Sequence, residues 1–303
     1  MYVFVTGATG YIGHAVVGEL AALGHAVTGL VRSDAKAELV SRLGAKAVVG
    51  DVADPDTYRE HAAEHEALVH VAFGSGPGAV AADRTAVETL IAAARAGGAR
   101  SLVYTSGIWV LGATGNAPAF EGAPTDHPAA LVAWRVAHER EVLEAGIHHL
   151  ASAVIRPGIV YGGRGGLIGS YFDSAEKEGA AAYVGDGANR LPMIHVEDLA
   201  RFYRRVVEHH ARGVFHAVDG NGVPLADVAR AASEAAGKQG ATRSIPLDQA
   251  RRELGAFADC LALDQLVESR RTTEIGWRPE HPNFLGEAAQ AYLVWKSAQG
   301  WRA

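Results

Sequence analysis

Three glycines at three-residue spacing, directly after a short apolar run, constrain this chain more than any other feature. They are Gly7, Gly10 and Gly13 in the segment TGATGYIG, and the apolar run covers residues 3–5. The first glycine permits a tight strand-to-helix turn, the second lets the backbone approach a diphosphate, and the third permits close helix–strand packing. Apolar residues then recur at helical spacing over residues 12–23. The pattern predicts a strand, turn and helix whose N-terminus binds the phosphates of a dinucleotide.

Strands and helices are predicted to alternate through the first half of the chain. The predicted strands cover residues 26–31, 47–49, 67–72, 101–105 and 153–155, and the predicted helices cover 35–43, 79–96 and 131–145. This order is typical of an α/β fold, a Rossmann-type doubly wound parallel sheet. We expect a nucleotide-binding Rossmann domain over residues 1–157.

The alternation loosens after residue 157. A glycine-rich loop is predicted at 162–169, a turn-like segment at 183–192, and helices at 196–208, 225–236, 247–254 and 284–299. We expect residues 158–303 to form mainly a smaller C-terminal substrate lobe, with residues 190–220 returning to the core.

Composition and charge exclude several classes of function. The net charge of -6 disfavours nucleic-acid binding, which needs clustered Lys and Arg. No apolar run is long enough for a membrane span, and no signal peptide is visible. The single cysteine, Cys260, allows no internal disulfide, and no His or Cys cluster has metal-ligand spacing. We expect a cytoplasmic protein that acts on a small molecule without a metal.

The end of the second predicted strand indicates which dinucleotide is bound. An acidic residue there would bind the 2′-hydroxyl of NAD, but this chain has Arg32 followed by Ser33. Arginine pairs well with the 2′-phosphate of NADP, so NADP(H) is the predicted cofactor. Asp51 and Val52 follow the third strand and are expected at the adenine. A solvated Arg32 and a helix-capping Asp51 are the alternatives.

Further motifs follow the glycine turn in a fixed order. They are Gly50-Asp-Val-Ala-Asp54, His70-Val-Ala-Phe73, Tyr104-Thr-Ser-Gly107, Arg156-Pro-Gly-Ile-Val-Tyr-Gly162 and His195-Val-Glu-Asp-Leu199. With these motifs the sequence resembles the extended short-chain dehydrogenase/reductase family, also called the NAD-dependent epimerase/dehydratase family. The resemblance implies a nicotinamide cofactor and a small substrate held between the sheet and the C-terminal lobe. It also implies a homodimer formed through the helices at 79–96 and 131–145.

The family's catalytic pattern is broken in this chain. The resemblance implies a Ser or Thr and a Tyr-x-x-x-Lys pair, in which Tyr exchanges a proton with the substrate and Lys holds the ribose. Here Leu131 occupies the Tyr position, Arg135 the Lys position and Gly107 the Ser/Thr position, with Ser106 just before it. Leucine carries no proton, and arginine does not release one at working pH. A Tyr-x-x-x-Lys at Tyr292–Lys296, in the last predicted helix, is interpreted as a coincidence.

Other side chains are candidates for the missing roles. Tyr161 is a possible proton donor or a pocket-lining residue, Ser106 could bind a substrate carbonyl, and Arg135 could hold the ribose. His138 and His195 are further candidates, for which a structural role is the alternative. The residues expected to contact the substrate are Gly107, Trp109, Leu131, Trp134, Tyr161 and Arg190. Those expected to contact the cofactor are Gly7, Thr9, Gly10, Tyr11, Ile12, Gly13, Arg32, Ser33, Asp51, Val52, Ala72, Phe73, Thr105, Arg135, Pro157 and Gly158.

Three functions are compatible with these features. The main prediction is an NADP(H)-dependent reductase of a small organic carbonyl, imine or activated alkene, with the proton supplied by water or Tyr161. A non-redox epimerase or lyase acting on a sugar-like substrate is the second. A catalytically silent protein that senses NADP is the third, because a fold does not fix a function.

Overall fold

In the computed structural model, which describes residues 1–74, 76–147 and 149–299, a seven-stranded parallel sheet forms the centre of the molecule. In spatial order its strands are β3 (Lys46–Val49), β2 (Ala26–Val31), β1 (Tyr2–Thr6), β4 (Ala67–His70), β5 (Ser101–Thr105), β6 (Ala151–Pro157) and β10 (Gly213–Ala217). From β1 the chain first adds strands on one side and then returns to add β4 on the other. The predicted Rossmann-type α/β fold is therefore confirmed. Its ligand crevice is expected at the carboxyl ends of the strands beside this reversal.

Helices cover both faces of the large sheet. One face carries α1 (Tyr11–Ala22), α2 (Asp34–Ser41) and α7 (Val196–Glu208), and the other carries α3 (Arg59–Ala63), α4 (Ala79–Gly97) and α5 (Arg135–Ala145). Side chains alternate along a strand, so Val3 and Val5 pack against the first set of helices while Phe4 packs against the second. Both cores thereby exclude water from the backbone that leads to the crevice.

The remaining elements form a smaller lobe with its own core. Its strands are β7 (Ile159–Tyr161), β9 (Arg190–His195) and β11 (Gly222–Pro224) in one sheet, and β8 (Ala181–Val184) and β12 (Thr242–Ile245) in another. Its helices are α6 (Ile168–Glu178), α8 (Leu225–Ala235), α9 (Leu247–Leu254), α10 (Phe257–Leu261) and α11 (Phe284–Gln299). Phe172, Leu225 and Phe284 are among its fully buried side chains. None of the helices in the described ranges is long and apolar enough to cross a membrane.

Some predicted element boundaries are wrong. The segment 183–192, predicted as a turn, holds the end of β8 and the start of β9. These short strands pair with β12 and β11, which come later in the chain, so local sequence carries little sign of them. The helix predicted over 131–145 begins only at Arg135, and residues 130–132 form a 3-10 turn instead.

Candidate cofactor and substrate site

The turn between β1 and α1 fits a diphosphate. The Gly10 N–H donates to Gly7 O (2.9 Å), and the first helical bond joins His14 N–H to Gly10 O (3.0 Å). No side chain caps this helix, so no described residue accepts a hydrogen bond from the amides of residues 11–13. A Cβ on Gly13 would lie 2.1 Å from Gly7 O, which explains the glycine there. Free amides at the positive end of a helix dipole are a favourable site for phosphate.

The neighbouring strand ends carry the other residues predicted at the nucleotide. Arg32 is exposed after β2, and it has no ion-pair partner within the described ranges. Asp51 is engaged locally, since its Oδ1 accepts from Ala53 N–H (2.9 Å) and its own N–H donates to Thr57 Oγ1 (3.1 Å). The carboxylate thus holds a local turn and does not cap a helix, and its predicted contact with the adenine stays a prediction. Arg32 is thus an exposed cation at the end of β2, where a phosphate can reach it.

Arg135, which is predicted at the position of the family's lysine, is fixed at the crevice by two acceptors. Its Nη1 donates to the carbonyl of Thr105 (2.7 Å) and to the hydroxyl of Tyr104 (3.2 Å). Its guanidinium carbon lies 4.9 Å from the ring centre of Phe73 and 4.5 Å from that of Trp134. Arg135 is 9% exposed while Phe73 is 60% exposed, so the aromatic pair shields the cation at the mouth of the crevice.

A buried network centred on Asp83 stands behind Arg135. Asp83 Oδ2 accepts from the Tyr104 hydroxyl (2.9 Å) and from His138 Nδ1 (2.7 Å), and its Oδ1 lies 3.2 Å from His70 Nε2. Burial alone would raise the pKa of Asp83, but the hydrogen bonds from the two histidines and the nearby Arg135 hold this pKa well below its usual range. Asp83 is therefore ionised, and its charge offsets that of Arg135 inside the protein.

Sequence reasoning did not find Asp83. It lies inside an Ala-rich helix, α4, where an acidic residue is most often solvated, yet it is 3% exposed. A usable signal existed in His138, which follows Arg135 by three residues and so shares its helix face. A buried arginine needs a counter-charge and a buried histidine needs a hydrogen-bond partner, and Asp83 on the facing helix α4 supplies both.

Thr105 and Ser106 are both turned into the protein. The Thr105 hydroxyl donates to the carbonyl of His70 (2.7 Å) and lies 2.6 Å from the hydroxyl of Tyr203. Ser106 Oγ is buried and has no hydrogen-bond partner within the described chain. A substrate carbonyl would have to displace neighbouring atoms to reach it, so the role of Ser106 stays a prediction.

Tyr161 lies in the core of the C-terminal lobe. It is 0% exposed, its ring packs against His195 (5.1 Å between centres) and Phe284 (5.3 Å), and its hydroxyl donates to Glu287 Oε2 (3.4 Å). Burial, followed by the negative charge of Glu287, raises the pKa of Tyr161 far above its ordinary value. The proton-donor role of Tyr161 stays a prediction that this enclosure does not favour.

The residues predicted at the substrate divide into two groups. Leu131 is 41% exposed, and its carbonyl accepts from Trp134 Nε1 (3.1 Å), so both lie beside Arg135 at the start of α5. Arg190 is engaged elsewhere, with Nε and Nη2 held by the Asp264 carboxylate at 2.9 and 2.7 Å. Leu131, Trp134 and Arg135 thus lie together at the mouth of the crevice. The Arg190 guanidinium is instead paired with Asp264 in the smaller lobe.

Two other groups of side chains, the Tyr292–Lys296 pair and the cluster of His195, Glu197 and His281, hold parts of the structure together. Lys296 Nζ donates to the Tyr292 hydroxyl (2.8 Å), and both bind Glu176, so this Tyr-x-x-x-Lys joins α11 to α6. His195, Glu197 and His281 lie close enough to share a cation. Their two imidazoles are stacked, however, with ring centres 3.7 Å apart and planes 25° apart, so their in-plane lone pairs run side by side and do not converge.

Comparisons with known proteins agree with this geometry. A family model described as NAD(P)H-binding matches residues 7–209. The chain belongs to the extended short-chain dehydrogenase/reductase family. An uncharacterized protein of Saccharomyces cerevisiae is 30% identical over 97% of this chain and 100% of its own length. The 3-diazoavenalumate denitrifying reductase of a Streptomyces species is 32% identical over 94% of this chain and 98% of its own length.

Solved structures of this family share the fold. The human epimerase family protein SDR39U1, solved with NADPH, superposes with a TM-score of 0.80 over 97% of this chain and 99% of its own, at 21% identity. Such a likeness establishes the architecture alone. Membership in the family establishes NAD(P)H binding, while the replacement of the family's Tyr and Lys by Leu131 and Arg135 stays a prediction from the sequence.

Proposed function

We propose that this protein is an NADP(H)-dependent reductase of a small organic carbonyl, imine or activated alkene, acting in the cytoplasm. The observation that carries the proposal is Arg32, exposed and without an ion-pair partner in the described ranges at the strand end where the 2′-phosphate would lie. Two relatives support it, since the Streptomyces relative is named as a reductase and the human family member was solved with NADPH.

Each part of the crevice then has a role in this family member. The amides of residues 11–13 bind the diphosphate, Arg32 binds the 2′-phosphate, and Arg135 binds the ribose that the family's lysine would hold. NADPH, when bound, supplies the hydride. Leu131 and Trp134 offer an apolar edge to the substrate beside Arg135.

The proton needs a separate source. Leu131 has none to give, and the Tyr161 hydroxyl is enclosed by Glu287 and the lobe core. Water at the open mouth beside Phe73 is the donor that the geometry favours. Without a side-chain acid, the turnover rate should change little with pH near neutrality, because no protein group then titrates in the rate-limiting proton transfer.

Binding and turnover should be measured in that order. NADPH fluorescence titration is expected to give a dissociation constant well below millimolar, and a panel of carbonyl and imine compounds is expected to include one that oxidises the bound NADPH. If neither NADPH nor NADH binds below millimolar concentration, the cofactor assignment is wrong. If NADPH binds tightly but no compound consumes it, the protein is a silent NADP sensor, a function that the missing tyrosine at Leu131 specifically favours.

A further inference from the structure

A glycine-rich strap from the C-terminal lobe crosses the start of α1. The strap comprises residues 162–166 between β7 and α6, and the Tyr11 hydroxyl donates to its Gly162 carbonyl (2.6 Å). A Cβ on Gly165 would lie 3.1 Å from the Tyr11 ring, and one on Gly166 would lie 2.9 Å from that ring and 2.6 Å from the Val160 carbonyl. Only glycine allows the backbone to approach the ring this closely, so the strap is fixed against Tyr11.

This strap brings one cation to the diphosphate turn. Arg164 stands at its centre, half-buried, and its Nη2 donates to the carbonyl of Thr9 (3.1 Å), which lies between Gly7 and Gly10. The charge of Arg164 also acts on His14, which lies one turn further along α1. Burial lowers the pKa of His14, and the nearby Arg164 lowers it further. A guanidinium is thus held beside the amides that we assign to the diphosphate.

We propose that Arg164 binds the diphosphate of the dinucleotide, together with the backbone amides of residues 11–13. This inference rests on the proposed cofactor site and deepens it. A guanidinium has five N–H donors in one plane, so it can hold a carbonyl and a phosphate oxygen at the same time. Arg164 acts on the group that NADPH and NADH share, whereas Arg32 acts on the 2′-phosphate that NADPH alone carries.

That difference gives a direct test by fluorescence titration of both nucleotides. Arg164→Met is expected to weaken NADPH and NADH by a similar factor, about tenfold, as for loss of one charged hydrogen bond. Arg32→Met is expected to weaken NADPH and leave NADH unchanged. Arg42→Met, which removes an exposed arginine paired with Glu38, is the matched control and is expected to change neither. Inorganic pyrophosphate should compete with NADH in the native protein and much less in Arg164→Met.

Further variants separate the charge from the folding of the strap. Arg164→Lys should restore part of the affinity, while Gly166→Ala, which forces the strap off Tyr11, should weaken both nucleotides as Arg164→Met does. Thermal unfolding checks that Arg164→Met is folded. The proposal is overturned if folded Arg164→Met binds both nucleotides as the native protein does, or loses NADPH alone. If the native protein binds neither nucleotide, the cofactor assignment itself fails, a result distinct from both.

Discussion

The pair of opposite charges at Asp83 and Arg135 is the most consequential arrangement of single residues in the crevice. The two do not touch directly. The Tyr104 hydroxyl stands between them, accepting from Arg135 and donating to Asp83. Because Asp83 takes the hydroxyl hydrogen, the oxygen lone pair is turned toward the guanidinium. The carboxylate therefore fixes Arg135 at the place where the ribose of the cofactor is expected.

Removing the Asp83 charge should destabilise the protein. Asp83→Asn leaves Arg135 buried without its counter-charge, so the free energy of unfolding should fall by about 3 kcal/mol in urea denaturation at neutral pH. Asp56→Asn is the control, since the Asp56 side chain is 84% exposed and its pairing with Arg59 should contribute less than about 1 kcal/mol. An equal effect of the two substitutions would contradict the network's role.

The same carboxylate predicts a pH dependence. The pKa of Asp83 is lower in the folded protein than in the unfolded chain, where it is about 3.9. The folded state therefore binds fewer protons, so the stabilisation is complete above the unfolded-state pKa and is lost as the pH falls toward the folded-state pKa. The difference in unfolding free energy between the native protein and Asp83→Asn should be constant above about pH 5 and should shrink progressively as the pH falls from about 5 to about 2. A constant difference over this range would contradict the assignment.

At the scale of elements, the long periodic helices and the apolar strands β1 to β6 of the large sheet could be predicted from sequence, whereas the short strands of the smaller lobe could not. The helix predicted at 196–208 is α7 in the structure, because its buried face repeats at helical spacing through Leu199, Phe202, Tyr203 and Val206. The strands β8 and β9 were missed, since they are only four and six residues long and carry no period of their own. The crevice shows the same contrast. Its glycine turn is a local motif and could be found in the sequence. Asp83 and Arg164 come to the crevice from distant segments, so their roles can be recognised only in the folded structure.

Helix α1 approaches the glycine turn closely at Gly13 and carries a second glycine, Gly18, that can serve as a control. Gly13→Ala would place a Cβ 2.1 Å from the backbone oxygen of Gly7, so it should weaken NADPH binding at least tenfold and lower the unfolding temperature. Gly18 lies on the same helix with its nearest neighbour 3.7 Å from an added Cβ. Gly18→Ala should instead stabilise the protein by about 0.5–1 kcal/mol. Similar behaviour of both variants would mean that helix packing, and not the glycine turn, sets binding.

At the scale of the whole molecule, helices α4 and α5 form the face predicted for self-association. Helices α4 and α5 lie side by side and enclose a surface depression of about 470 Å³ lined by Glu88, Ala92, Arg95, Glu141 and Glu144 among others. We propose that two copies pair through this face to form a homodimer. A symmetric pairing would set Arg95 of one copy near acidic residues of the other, since both signs of charge occur on the same patch.

A charge placed in the depression should disrupt the dimer. Ala92→Glu adds a fourth acidic side chain to Glu88, Glu141 and Glu144 and should reduce the mass measured by sedimentation to that of one chain. Ala289→Glu, on the exposed side of α11, is the matched control and should leave the mass unchanged. A native protein that sediments as a monomer would refute the pairing directly.

The position of β10 at the edge of the large sheet has a consequence for the order in which the chain is made. Strand β6 ends at Pro157, but its outer neighbour β10 begins only at Gly213. Helix α7, which places Leu199 and Phe202 against the sheet, also comes after the first three strands and the first helix of the small lobe. On the ribosome, the emerging sheet thus has an unpaired edge, and part of one apolar face uncovered, while residues 158–217 are made, which is about a fifth of the 303-residue chain. Such a nascent chain is open to aggregation, so successful folding depends on what shields it until residue 217 emerges.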